Sequence, residues 1–298
     1  MDAAPNGIRV GTSGFSFDDW VGPVYPKGTP KPRMLEFYET SLGFECVELN
    51  YTYYAMPVPR TMEQLVAKTG EGFEFVVRSH KDMTHDIWTD DRRTTLRDTE
   101  PVFRAFRQGI SPLVDSGRFG CLLVQLPSFF WPNQANAGYL RRMPELIPDV
   151  PLVVEFRNRA WLKDETFDLL RDANLGYCVV DEPDLPRLVP FRPDRTSDIA
   201  YFRFHGRNRN WFNASRAERY DYLYSDDELR GFLDPVHEVS GAARRSYLFF
   251  NNCHAGSAAR NALLVKQMLG LVEELTPQQQ RIVSGEAARS GEQGTLFA

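Results

Sequence analysis

Eight short apolar runs alternating with amphipathic stretches, one uniformly apolar strand face, and an opposite face that turns polar only at its C-terminal end predict an α/β chain folded as a single TIM (β/α)8 barrel. The runs fall at residues 8–12, 46–50, 73–80, 121–126, 152–157, 176–181, 200–205 and 247–251. Helical spacing of apolar residues marks 34–42, 61–68, 101–114, 164–173, 226–236 and 258–272. The alternation implies parallel strands, because parallel neighbours need a crossover connection.

Successive strand residues point to opposite faces. One face carries Val47 and Leu49, Phe75 and Val77, Leu122 and Val124, Leu152 and Val154, Phe202 and Phe204, Leu248 and Phe250, all apolar as expected beneath helices. The other begins with residues such as Cys46, Val76, Leu123, Val153, Val179, Tyr201 and Phe249. It ends with Glu48, Asn50, Arg78, His80, Gln125, Glu155, Arg157, Asp181, Arg203, His205 and Asn251. A doubly wound open sheet wants both faces apolar. A closed barrel accounts for the asymmetry, since its interior is packed low down and chemical at the top.

Composition fits that class. With 42% hydrophobic and 25% charged residues in 298, the chain is globular rather than disordered or disulfide-stapled. No run approaches the roughly 18–20 apolar residues of a membrane span, and the N-terminus lacks the pattern of a secretory leader. Four cysteines without a C-x-x-C pair suit a reducing compartment, so a cytoplasmic location is expected. The formal charge of −5 argues against a broad basic face for duplex DNA. Residues 1–7 read as an N-terminal extension, 8–274 as the barrel, and the polar stretch 275–298 as a flexible tail.

Six ordered segments carry a family resemblance: Gly11-Thr12-Ser13-Gly14, Val47-Glu48-Leu49-Asn50 with Tyr53-Tyr54, Gln125-Leu126-Pro127, Val154-Glu155-Phe156-Arg157 with Trp161, Arg203-Phe204-His205-Gly206, and Phe250-Asn251-Asn252. Together they resemble the YecE-like family, domain of unknown function 72, from about residue 8 to 271. The resemblance implies a TIM barrel and assigns no reaction. Cys253-His254 departs from it, where a small or acidic residue is expected.

The active site of this fold lies at the C-terminal ends of the strands. There Glu48 and Glu155 form the candidate acid–base pair, with His205 as proton shuttle. Glu155, near Arg157 and Arg203, is expected to stay ionised and to act as base, leaving Glu48 as acid. Arg78, Arg157 and Arg203 match phosphate or carboxylate, because guanidinium forks bind such anions in bidentate fashion. Asn50, His80, Gln125, Asp181 and Asn251 complete the expected ligand contacts, with Trp211 from the cationic and aromatic stretch 207–219. The alternative is a self-satisfied salt-bridge network in which the glutamates are clamped between the arginines. A divalent metal on the histidines and carboxylates is not favoured, since H-x-H and H-E-x-x-H are missing and arginines crowd the same rim.

Outside the barrel, Gln293-Gly294-Thr295-Leu296-Phe297 resembles the Q-x-x-L-F peptide that docks bacterial DNA polymerases and repair enzymes on the sliding clamp. Leu296 and Phe297 would fill a pocket and Gln293 would hydrogen-bond at its rim. The functional expectation is therefore an enzyme acting on a phosphate-bearing substrate, with nucleic-acid phosphodiester hydrolysis in DNA repair as its sharpest form. Its rivals are a carbohydrate or other small-molecule enzyme using Glu48 and Glu155, and a non-catalytic clamp-associated binding protein.

Overall fold

The computed structural model describes residues 7–211 and 215–286. Eight parallel strands, β1 (Ile8–Thr12), β2 (Cys46–Leu49), β3 (Glu74–Arg78), β4 (Phe119–Gln125), β5 (Leu152–Glu155), β6 (Gly176–Asp181), β7 (Ile199–Phe204) and β8 (Arg245–Phe250), lie in the order β1-β8-β7-β6-β5-β4-β3-β2. The helices are α1 (Lys31–Thr40), α2 (Pro59–Ala67), α3 (Glu100–Gly109), α4 (Ser111–Asp115), α5 (Gln134–Leu146), α6 (Asp164–Asp172), α7 (Arg216–Arg219), α8 (Asp226–Gly241), α9 (Ser257–Met268) and α10 (Pro277–Ser284). Each strand pairs with its sequence neighbour and β1 pairs with β8, so only the β1–β2 seam lacks a hydrogen-bonded ladder. This is the TIM barrel that the strand parity predicts.

A side chain bridges the seam. The Tyr38 hydroxyl on α1 accepts a hydrogen bond from the Thr12 amide at 2.9 Å and donates to the Cys46 carbonyl at 3.1 Å. It thereby satisfies one backbone group on each unpaired strand. Gly11 lets the strands approach: a Cβ there would overlap the Cys46 carbonyl oxygen and sit 3.0 Å from Cys46 Sγ. Gly11→Ala is expected to destabilise the protein by about 1–3 kcal/mol, because neither backbone can yield without opening the barrel. Urea denaturation checks this, and an unchanged midpoint would contradict it.

Within the barrel, Cys46, Val76, Cys121, Leu123, Val153, Cys178, Val180, Tyr201, Tyr247 and Phe249 form a separate buried cluster. The alternate positions, Val47 through Phe250, pack outward in the main core with the helices. One strand departs from the expected parity. In β6 the inward residues are Cys178 and Val180, registered beside Tyr201 and Arg203, whereas Val179 joins the outer core. Asp181 therefore belongs to the outer side, where it accepts from Arg207 and from the Tyr224 hydroxyl at 2.6 Å. Both faces of β6 are apolar up to that point, so alternation alone does not say which one turns inward.

Three helices, α5, the short α7 and α10, lie where the sequence reading placed none. Helix α5 starts at Asn133, whose side chain caps the Asn136 amide. Helix α10 occupies part of the expected tail. Thr276 and Gln279 close a capping box, the Gln279 amide reaches the Leu42 carbonyl at 2.9 Å, and Ile282 is buried. No helix among the described residues is long and apolar enough to cross a membrane.

Candidate functional site

The polar strand ends assemble above the barrel's apolar plug. Arg203 on β7, 1% exposed, donates to Glu48 Oε1 on β2 at 2.7 Å and to Glu155 Oε2 on β5. Tyr201, two residues earlier and hence on the same face, donates to Glu48 Oε2 at 2.6 Å. One step higher, Arg157 donates through Nε to Glu155 Oε1 and through Nη1 to Glu182 at 2.8 Å. Its Nη2 lies 2.9 Å from His205 Nε2. Glu182 also accepts the Val189 amide at 2.7 Å. Glu48, Glu155 and His205 are each fully buried.

The electrostatics follow from this closure. Burial would raise the Glu155 carboxyl, yet Arg157 and Arg203, with the His205 contact, hold it well below the ordinary carboxylate range. Burial and then Arg157 lower His205 to about 3, against the pull of Glu155, so the ring is neutral at physiological pH. Arginine can only donate, so His205 Nε2 accepts and the ring proton sits on Nδ1. That nitrogen is 2.9 Å from the Asn251 amide, whose oxygen accepts in the orientation this tautomer selects. Burial raises Glu182, with Arg157 opposing.

The expected catalytic trio is thus brought together, but as a locked framework. Both oxygens of Glu48 and of Glu155 are engaged, and both ring nitrogens of His205 have partners. With no surface on any of them, proton exchange with a ligand at the mouth has no route. The arrangement has the form of the clamped network that the sequence left as the alternative to an acid–base pair.

Arg78 is the exception. It ends β3 and is 9% exposed; among the described residues no carboxylate lies within ion-pair distance of it and its buried Nε lacks a hydrogen-bond partner. Its guanidinium lies 4.1 Å from the Tyr53 ring centroid. Burial, and then Arg203, lower its pKa, while Glu155 and Glu48 oppose. It nevertheless stays charged, as guanidinium does in proteins.

Arg78 lines a cleft of about 520 Å3 together with Gln125, Arg157, Trp211, Tyr53, His85, Phe129, Arg219 and Tyr220. No Asp or Glu is among the lining residues. Beside it lies a cavity of about 720 Å3 between the ends of β1, β2 and β8, which takes Asn50 and Asn251; Tyr220 lines both spaces. His80 enters neither, because the chain turns at residue 80 into a 3-10 turn and the His80 ring caps the Asp82 amide. Asp181 is replaced as the inward carboxylate by Glu182. His85 entered the sequence reading only among the histidines of the disfavoured metal site, and Tyr220 was unassigned; both stand on loops, where strand parity gives no direction. Gln293, Leu296 and Phe297 lie outside the described residues. Among the described residues no group of three or more His, Cys, Asp or Glu is placed to hold a metal ion; at the mouth, arginines occupy the carboxylates.

Comparison with known proteins decides the family. The family model described as protein of unknown function DUF72 matches residues 9–283. The chain belongs to the DUF72 family. The DUF72 match takes in all of helix α10 but its last residue, in keeping with the packing of that helix on the barrel. The UPF0759 protein YunF of Bacillus subtilis is 30% identical over 282 residues, covering 89% of this chain and 95% of YunF. A DUF72 crystal structure from Thermotoga maritima is 43% identical, with a TM-score of 0.83 over 89% of this chain and 100% of that one. Another, from Enterococcus faecalis, is 28% identical, with a TM-score of 0.77 over 91% and 98%.

Proposed function

We propose that this DUF72 protein binds a phosphate-bearing ligand in the cleft at the barrel mouth, with Arg78 as the principal anion contact. One observation carries the reading: a nine-tenths buried guanidinium without a carboxylate partner lines a cleft bare of acidic side chains. An unpaired buried charge is costly, and an anion supplies what the protein withholds. Arg157 lines the same cleft but is engaged by Glu155, Glu182 and His205, which leaves Arg78 to make the anion contact. Trp211, Phe129 and Tyr220 offer ring faces to the organic part of the ligand.

For a hydrolytic reaction, the cleft supplies His85 as proton acceptor. Burial and then Arg78 lower it to about 4, so it is neutral at physiological pH and would accept a proton only as a weak base. Its ring is held edge-on to Tyr53, with centroids 4.9 Å apart.

The binding test is calorimetric titration with inorganic phosphate. Arg78→Gln is expected to weaken binding about tenfold or more, the loss of one charge-assisted hydrogen-bonding group. Its denaturation midpoint should change little, since the removed charge had no ion-pair partner among the described residues and loses only the Tyr53 ring contact. Unchanged phosphate affinity in the folded variant would refute the assignment.

A further inference from the structure

We propose that the mouth of the barrel binds a single-stranded polynucleotide, with one phosphate at Arg78 and the neighbouring nucleotides carried over the rim. This deepens the anion-binding reading and rests on it for the Arg78 contact alone.

Three guanidiniums at the mouth lie on aromatic rings of the same cleft. Arg78 is 4.1 Å from the Tyr53 centroid, Arg93 is 3.7 Å from that of Phe129, and Arg219 is 5.5 Å from that of Trp211. All three rings line the cleft, and His85 joins the first two pairs, its ring packing edge-on to both Tyr53 and Phe129. Among the described residues none of the three arginines has a carboxylate within ion-pair distance. Arginines near rings elsewhere are paired. Arg192, over Phe167, meets Asp164 and Asp194; Arg207, near Tyr224 and Phe232, meets Asp181 and Glu228.

The uncompensated cations thus gather around one cleft that no acidic side chain lines. A ligand that repeats an anion and a flat ring is their complement: guanidiniums take the phosphates and ring faces take the bases. An acidic peptide carries the charge but no flat ring at each anion.

Arg93 is presented at a cost. It stands at the tip of a turn in which Trp88 bridges Leu96 and Asp90 accepts the Thr95 amide at 2.8 Å. Its φ is +57°, a conformation that L side chains rarely adopt. The turn fixes an exposed cation over Phe129, and strain of this kind collects at ligand-binding sites.

The rim supplies further ring faces. Among the described residues the exposed large apolar side chains are Tyr51, Tyr54, Val58, Trp131 and Leu223, and all stand on loops that follow β2, β4 and β7, at the mouth end. Tyr54, 54% exposed, lines the cleft, and Trp131, 59% exposed, lies on the same loop as Phe129. Stacking on such rings needs unpaired bases, which selects a single strand over a duplex. The cleft, at about 520 Å3, has the size of a small-molecule site, so it holds one stretch of the strand and the rim takes the rest.

Binding of a labelled oligothymidylate to the full chain is followed by fluorescence anisotropy over a range of salt. Thymidine 5′-monophosphate, the duplex with oligoadenylate, and oligoglutamate serve as competitors. The single strand is expected to bind about tenfold or more tightly than each of them. The logarithm of its association constant should fall against the logarithm of salt with a slope of about −2, the value for three neutralised phosphates on a single strand. Arg93→Gln should reduce that slope by about 0.7, and Tyr54→Ala should weaken binding about fivefold or more, the worth of one stacked base. Both side chains are exposed. Arg219→Gln is the second charge variant, with the same expected change in slope. A duplex or oligoglutamate that competes equally, a strand that binds no better than the mononucleotide, or an unchanged slope in both charge variants overturns the inference and leaves the anion site to the phosphate titration of Arg78→Gln. If the strand binds and Arg93→Gln reduces its slope, yet Arg78→Gln alters neither strand nor phosphate affinity, the anion reading fails and the strand surface survives.

Discussion

Replacing Arg203 by methionine is expected to lower stability by about 3–5 kcal/mol, the usual consequence of removing one partner of a buried ion pair. Arg203 is 1% exposed and bonds two fully buried carboxylates, so both Glu48 and Glu155 would lose a charge partner where water cannot replace it. Glu155 keeps Arg157, but Glu48 keeps only the neutral Tyr201 hydroxyl. The double variant Glu48→Gln, Arg203→Met should recover part of the loss, because it removes the carboxylate left worst off. Urea denaturation of both variants measures this. A single variant as stable as wild type would show that the cluster is not a locked framework.

Acid should destabilise the protein from well above the carboxylate range. His205 titrates near 3 and His85 near 4 in the folded chain, against 6.5 when unfolded. Between pH 6.5 and 4 the unfolded chain therefore takes up protons that the folded chain refuses, and stability falls as pH falls. The limiting slope is about 1.4 kcal/mol per pH unit for the fully buried His205, and smaller for the partly exposed His85. Glu155 adds to the loss below about pH 4.5: its folded pKa is depressed, so its contribution is present above the unfolded value and disappears below it. Glu182, raised by burial, works in the opposite direction. Denaturation midpoints should hold nearly level from pH 8 to about 7 and then fall down to pH 4.5 in wild type, and fall more gently in His205→Gln. A flat wild-type profile over that range would contradict the neutral, buried imidazole.

The barrel was legible because six strands show their faces in sequence. Tyr201, Arg203 and His205, or Val153, Glu155 and Arg157, run from apolar to polar on one parity while their neighbours stay apolar. Strand β6 hid its register because Tyr177 and Val179 are as apolar as Cys178 and Val180, which left Asp181 and Glu182 interchangeable on paper. Helix α10 looked like tail because its stability comes from a Thr276–Gln279 capping box and a few buried contacts, not from an apolar stripe. The Thr-Pro-Gln-Gln spacing was the available signal. At the site, parity brought the right charges together but could not say which arginine would be left over. That depends on Glu182 and His205 saturating Arg157, a three-dimensional outcome of where β5, β6 and β7 end. His85, Tyr220 and Trp211 arrive on loops whose paths no periodicity encodes.

The most direct test follows the guanidinium Nε–H resonances of the arginines by NMR during a phosphate titration, with Arg78 assigned through Arg78→Gln. Arg203, locked between two carboxylates, should hold its position, while the Arg78 signal should move and saturate with the calorimetric binding curve. An Arg78 resonance that stays fixed at phosphate saturation would contradict the claim that the barrel keeps the Arg78 cation open for a ligand.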